Sequence, residues 1–213
     1  MEYIAILTGG DSAEYEVSLL SAEMVLKNLD RVLYKGFIVH LSKNKFTVKI
    51  DDNSIPINNN NFSFIYEKKE IKFNKVFMAL HGNPAENGKI QPYFDKLSIP
   101  YTACNANVSS ITFNKYKCNS ILKNLGFNCA KSYLHKRDAR LNVDFIIKQI
   151  QFPCFIKPNA SGSSYGVSKV KNQDEIKDAI ENALKYDKEV IIEKAISGTE
   201  VGSGVLFNGR EII

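Results

Sequence analysis

The chain opens on an apolar run, 3–7, that ends at Gly9-Gly10. A short continuous apolar run stopped by glycines predicts a buried strand leading into a tight turn. Behind it Val17, Leu20 and Met24 recur at helical spacing, so the opening unit reads strand, glycine turn, helix, with those three residues on its apolar face. Further strands are expected over 32–40, 46–50 and 76–80, the last running into His81-Gly82. Between them DDNSIPINNNN (51–61) predicts a polar loop, in part disordered. Strands alternating with helices predict a parallel α/β sheet.

The pattern changes after Asn114. Cys118, Ile121, Leu122 and Leu125 mark one helix face, with Gly126 as its C-terminal cap. Val143, Ile146, Ile147 and Ile150 mark a second helix, and Ile176, Ala179, Ile180, Ala183 and Leu184 a third. Strands are expected over 152–157, interrupted at its start by Pro153, over 166–170 and over 190–193. This half reads ααββαβ, an α+β arrangement in which the small-residue stretch KPNASGSSYGVSKV (157–170) joins two strands. The closing VGSGVLFNGREII (201–213) predicts a hairpin turning at Asn208-Gly209. The last apolar strand has barely begun at Ile213, so the chain is expected to end inside a domain.

Composition narrows the function classes. The net charge of +5 is spread along the chain without a basic block, and Trp is absent, which argues against a nucleic-acid binder. A mild positive bias suits an anionic small-molecule substrate. The four cysteines form no CxxC pair and have no histidine at ligand spacing, so four reduced, mostly buried thiols are expected. The N-terminus lacks a basic region and a long apolar stretch, and no segment approaches the ~20 apolar residues of a membrane span, so no membrane partner and a cytoplasmic location are expected.

Four places carry candidate chemistry. In the stretch after Lys157, Gly162 and Gly166 permit close backbone approach, and Ser161, Ser163 and Ser164 offer donors, as a phosphate loop requires. A plain flexible hairpin would use the same residues, and the GxxxxGK[ST] order is absent. His81 ends an apolar strand, where parallel sheets place ligands, or it is a turn histidine with a structural hydrogen bond. Glu14 and Glu16 either catch a substrate ammonium or favour the dipole of the first helix. Glu193, Lys194 and Glu200 either face a nucleotide or are solvated charges on a strand and a turn.

Taken in register, GGDSAEYEVSLLSA (9–22), ALHGNPAENGKIQ (79–91), IPYTA (99–103), Asn114-Lys115, FIKPNASGSSYGVSKV (155–170) and VIIEKAISGTEV (190–201) resemble the D-alanine–D-alanine ligases of the ATP-grasp superfamily. The resemblance spans nearly the whole chain. It implies an N-terminal Rossmann-like α/β domain over 1–112 that precedes the ATP-grasp region, a central α+β ATP-grasp subdomain over 113–193, and the start of a truncated C-terminal subdomain over 194–213. The implied catalytic candidates are Glu14, meeting the ammonium of the first D-alanine, His81, near its carboxylate and the transferred phosphoryl group, and Ser163, hydrogen-bonded to Glu14. Lys115, Lys157, Ser163 and Ser164 are implied to hold ATP phosphates, Glu193, Lys194 and Ile196 to surround the adenine, and Glu200 the ribose.

The implied cofactors are ATP and Mg2+, or Mn2+ in its place, with metal ligands expected beyond Ile213. The implied partners are two D-alanine molecules and, in the full-length protein, a second copy. The implied reaction is synthesis of D-alanyl-D-alanine for peptidoglycan through an acyl phosphate. Alternatives are another ATP-grasp ligase, including a D-lactate or D-serine relative, or a non-catalytic nucleotide-binding remnant. The family's usual HGxxGEDG is altered at Ala85 and Asn87, Pro92 replaces a glycine, and Phe113-Asn114 replaces Met-Asp. The family continues well past Ile213, so this chain is expected to be an N-terminal fragment without ligase activity.

Overall fold

The computed structural model describes every residue except Asp52 and Asn208. β1 (Glu2–Gly9) is buried from Ile4 onward because both of its faces are covered. α1 (Tyr15–Asn28) lies on one face, and the chain returns as β2 (Tyr34–Ser42), parallel to β1 with Glu2 opposite Tyr34 and Gly9 opposite Leu41. β3 (Lys45–Ile50) and β4 (Asn53–Pro56) follow, then the hairpin β5 (Ser63–Tyr66) and β6 (Lys69–Lys72), then β7 (Lys75–Met78), parallel to β1. α2 (Gln91–Lys96) and α3 (Ala106–Phe113) complete this lobe. Its main sheet has the order β4-β3-β2-β1-β7.

The sheet is therefore parallel only over β2-β1-β7, since β3 and β4 at the other end pair antiparallel. The reason is local. Lys43 and Asn44, both at positive φ, close a two-residue turn between β2 and β3, and so short a link makes a hairpin but not a crossover. The segment expected as a disordered loop instead contributes β4, and Asn58 bridges to Ser63 beyond it. The β5–β6 hairpin closes an aromatic core under the sheet. Phe62, fully buried, meets Phe94 edge-on at 5.0 Å and 78°.

α1 turns the other way from its expected orientation. Val17, Leu20 and Met24 are 47%, 67% and 63% exposed. The face toward the sheet carries Ser18 and Ala22, both fully buried, with Val25, Leu26 and Leu29 packed alongside. Small side chains let the helix approach the strands closely, and the buried Ser18 is needed for hydrogen bonds described below.

Asn114 ends α3 and caps α4 (Lys115–Asn124), its Oδ1 accepting from the Lys117 amide at 2.9 Å. Beyond α4 come β8 (Ser132–Lys136), α5 (Val143–Ile150), β9 (Cys154–Pro158), β10 (Ser168–Val170), α6 (Ile176–Ala183) and β11 (Glu189–Lys194). The second sheet, β10-β9-β11-β8, is antiparallel throughout. α5 and α6 cover one face, where Ile156, Val190 and Ile192 join Ile146, Ile150 and Ile180 in a separate core. Strand alternation turns Lys157 and Glu193 to the other face.

α4 differs from expectation too, for no residue of it is buried, and Leu122 and Leu125 are exposed. Of the four free thiols only Cys154 is buried. The expected hairpin turn falls on Asn208, outside the described residues, while Phe207 and Ile212 form an isolated antiparallel bridge. Among the described residues no helix is long and apolar enough to cross a membrane.

Candidate functional site

The site lies where the C-terminal ends of β1 and β7 face the loop between β9 and β10. Glu14 precedes α1 and is 8% exposed. Its Oε1 accepts a hydrogen bond from Ser163 Oγ at 2.5 Å, across the cleft between the lobes. Two glycines crowd the same carboxylate. A Cβ at Gly82 would lie 2.8 Å from Glu14 Oε2, and one at Gly162 would lie 2.6 Å from it. Glycine is required at both places because the backbone itself forms the walls around this carboxylate.

Serines join Glu14 to His81. Ser12 Oγ accepts from the Glu14 amide and donates to the His81 carbonyl, both at 3.2 Å. Ser18 Oγ accepts from the His81 amide at 2.9 Å and donates to the Glu14 carbonyl at 3.1 Å. The His81 ring lies with Nε2 2.8 Å from Ser21 Oγ and Nδ1 3.6 Å from Glu86 Oε1. The helix start and the end of β7 are thus one hydrogen-bonded unit.

On the other lobe, Lys115 Nζ donates to the Ser161 carbonyl at 2.5 Å. Burial, and after it the charge of Lys157, lowers the Lys115 pKa below the ordinary lysine value. Lys157 pairs with Glu193, whose Oε1 accepts from Asn119 Nδ2 at 2.5 Å. Asn159, fully buried, holds the base of the loop. Its Oδ1 accepts from the Tyr116 amide at 2.9 Å, and its Nδ2 donates to Glu189 Oε2 at 3.0 Å. At the loop tip Ser163 and Ser164 both take positive φ, which turns the chain sharply.

A cavity of about 750 Å3 opens between the lobes, lined among others by Glu14, Gly82, Lys89, Ser161 and Tyr165. A smaller one of about 270 Å3 lies among Lys115, Lys157 and 161–165. An amine would find Glu14 in the first, and an anion would find Lys115 and Lys157 beside the second. The structure thus brings together Glu14, Ser163, Ser164, Lys115 and Lys157, with Glu193 on Lys157. His81 faces an adjoining hollow of about 370 Å3 with Glu86, Thr102 and Phe113.

Lys194 points away, its Nζ donating to Gln151 Oε1 at 3.0 Å. Ile196 and Glu200 are exposed on the irregular segment after β11. Among the described residues no group of three or more His, Cys, Asp or Glu side chains is placed to hold a metal ion. Ser12, Ser18, Ser21, Asn119 and Asn159 were not singled out in the sequence. The one available signal was Asn159, which lies inside the small-residue stretch two residues after Lys157 but reads there as an ordinary turn residue.

A part-parallel lobe joined to an antiparallel sheet, with a serine-tipped loop over paired lysines, defines an ATP-grasp ligase fold. Two family descriptions match in succession, "D-ala D-ala ligase N-terminus" over 3–104 and "D-ala D-ala ligase C-terminus" over 121–213. The chain belongs to the D-alanine–D-alanine ligase family.

The D-alanine–D-alanine ligase of Flavobacterium johnsoniae is 43% identical over 213 residues, all of this chain and 66% of that protein. The VanG D-Ala:D-Ser ligase structure from Enterococcus faecalis superposes with a TM-score of 0.83 at 31% identity, covering 100% of this chain and 67% of that one. The Bacillus anthracis D-alanine–D-alanine ligase complexed with ATP gives a TM-score of 0.73 at 28% identity, covering 93% and 61%. The chain thus spans just under two thirds of the length of the F. johnsoniae relative.

Proposed function

We propose that this chain is the substrate- and nucleotide-binding part of an ATP-dependent ligase that joins two D-alanines for peptidoglycan synthesis. The observation that carries the reading is the Ser163–Glu14 hydrogen bond, which ties the phosphate loop to the buried carboxylate in the apposed lobe. Glu14 would take the ammonium of the first D-alanine, and Lys115 and Lys157 the phosphates of ATP. His81, oriented by Ser18 and Ser21, would lie beside the reacting carboxylate. That carboxylate attacks the γ-phosphorus, ADP departs, and the resulting acyl phosphate is attacked by the amine of the second D-alanine, which loses a proton as phosphate leaves. Loop 160–166 would exclude water, because an acyl phosphate hydrolyses.

Glu193 would meet the adenine side from β11, Lys194, whose side chain turns to Gln151, would serve there through its backbone, and Ile196 and Glu200 would complete the adenine and ribose side once the segment after β11 folds inward. Mg2+ would neutralise the polyphosphate when bound, and its ligands are sought in the region by which the relatives exceed this chain. The domain division at 112/113 falls within one residue of the end of α3 at Phe113, beyond which Asn114 separates α3 from α4. A cytoplasmic location fits a reaction that consumes ATP. Association into a homodimer is supported by the exposed stripe of Val17, Leu20 and Met24.

The test is phosphate release from ATP by the chain extended to the length of its relatives. Release that depends on D-alanine is expected. Release stimulated by a different amino or hydroxy acid and not by D-alanine would overturn the reading. The likeness to a D-Ala:D-Ser ligase favours one second reading, in which D-serine is the attacking amine, and product analysis with both amino acids supplied decides between them. The 213-residue chain itself should bind nucleotide weakly and show no turnover.

A further inference from the structure

The loop that carries Ser163 is held at both stems by one turn, 184–189, between α6 and β11. On the N-terminal stem the Ala160 amide donates to Asp187 Oδ2 at 2.7 Å, and the Asn159 amide donates to the Glu189 carbonyl at 2.9 Å. On the C-terminal stem the ring of Tyr165 stacks on that of Tyr186, centroids 5.9 Å apart and 29° from parallel. The next residue, Gly166, lies flat against the same tyrosine, and a Cβ there would come within 2.6 Å of Tyr186 Cδ2. Both rings border the cavity between the lobes, beside Glu14 and Gly82. Neither tyrosine belongs to a buried core cluster, and they are 41% and 45% exposed. Their contact therefore does little for the core and is placed to act on the loop.

We propose that Tyr186 is a positioning residue that latches loop 160–166 through Tyr165 and Gly166, and so keeps Ser163 within reach of Glu14. The latch rests on the reading of this loop as the lid over the nucleotide phosphates. Its effect comes from leverage. The loop tip makes two polar contacts, from Ser163 to Glu14 and from Lys115 to the Ser161 carbonyl, and both require the loop to be down. Two positive-φ serines at the tip give the backbone few ways to reach that position. An offset ring stack on the C-terminal stem, two residues from Ser163, removes alternatives before the polar contacts form. A stacked aromatic pair shifts such an equilibrium by about two- to tenfold.

Amide hydrogen exchange over 161–166 in the 213-residue chain tests this without nucleotide. Tyr186→Ala should speed exchange there about two- to tenfold, and Tyr186→Phe, which keeps the ring, should leave it unchanged. Tyr165→Ala, which leaves the Gly166 contact on Tyr186, should speed exchange by no more than Tyr186→Ala does, and the double variant should be no faster than Tyr186→Ala alone. Unaltered exchange in Tyr186→Ala overturns the proposal, as does a Phe variant as fast as the Ala variant, or an additive double variant. Should Tyr186→Ala fail to fold, Tyr165→Ala, on the partly exposed loop, and Tyr186→Phe carry the same decision. Where the parent chain binds ATP, its dissociation constant should rise in Tyr186→Ala by the same factor. Failure of the parent to bind ATP would count against the lid reading, and the exchange rates alone would then decide whether the latch exists.

Discussion

Glu14 shows how much a single carboxylate can demand of its surroundings. Gly82 and Gly162 approach it so closely that a methyl group at either position would push the carboxylate out of its place. Gly162→Ala should cost ~1–3 kcal/mol in urea unfolding and release the Ser163 contact. Gly82→Ala should cost more, because φ of +72° adds backbone strain to the clash. Lys115 yields a pH prediction. Its pKa in the fold lies below the 10.5 of an ordinary lysine. Between the two values the unfolded chain binds more protons than the folded one, so stability rises with pH across that window. The penalty for holding a partly buried ammonium is full below the lowered pKa and is relieved above it. The urea midpoint of the parent should therefore gain on that of Lys115→Met as pH climbs toward 10.5, while ATP affinity falls over the same range. From residue types alone, Glu14 could equally have been a helix-dipole residue and Lys157 the edge of a hairpin. It was their joint register with His81 and the glycine–serine stretch that singled them out. The serines that lock Glu14 to His81 left no such trace, because an isolated serine on a helix has no periodicity and no required neighbour in sequence.

At the scale of elements, legibility followed the strength of the hydrophobic period. α5 and α6 lie where the apolar spacing places them, since each buries a single stripe against one sheet face. α1 is a helix where expected, but its apolar stripe faces outward, because close packing on the sheet selects Ser18 and Ala22. Pattern reading assumes that the largest apolar residues point inward, and here small size decided the buried face. The outer strands were misread for a related reason. A two-residue turn fixes the direction of β3, whatever helices lie elsewhere in the chain. These two faces of α1 should respond differently to substitution. Leu20→Glu should change unfolding free energy by no more than ~0.5 kcal/mol, as exposed positions do, yet shift the homodimer proposed for the full-length protein to monomer in sedimentation velocity. Ala22→Leu should instead cost ~1–3 kcal/mol through overpacking.

The whole molecule is two lobes, and the pattern change after Asn114 was the plainest large-scale signal in the sequence. The structure gives that change a physical meaning. The aromatic core under the first sheet and the isoleucine-rich core of the second share no residue. Near the cleft the lobes meet through the Asn114 junction and through polar contacts such as Ser163 with Glu14. Such links are too few to make two cores melt as one. Calorimetry should therefore resolve two transitions, and a core substitution such as Phe62→Ala should lower one of them and leave the other in place. Nucleotide, which we propose Lys115 and Lys157 hold, should raise only the transition of the second lobe. A single merged transition that shifts as a unit with either change would contradict this. The hydrogen bond between Ser163 and Glu14 has one partner in each melting unit. Its survival on heating is thus set by whichever lobe gives way first, and stabilising the sturdier half would add nothing to the temperature at which the site comes apart.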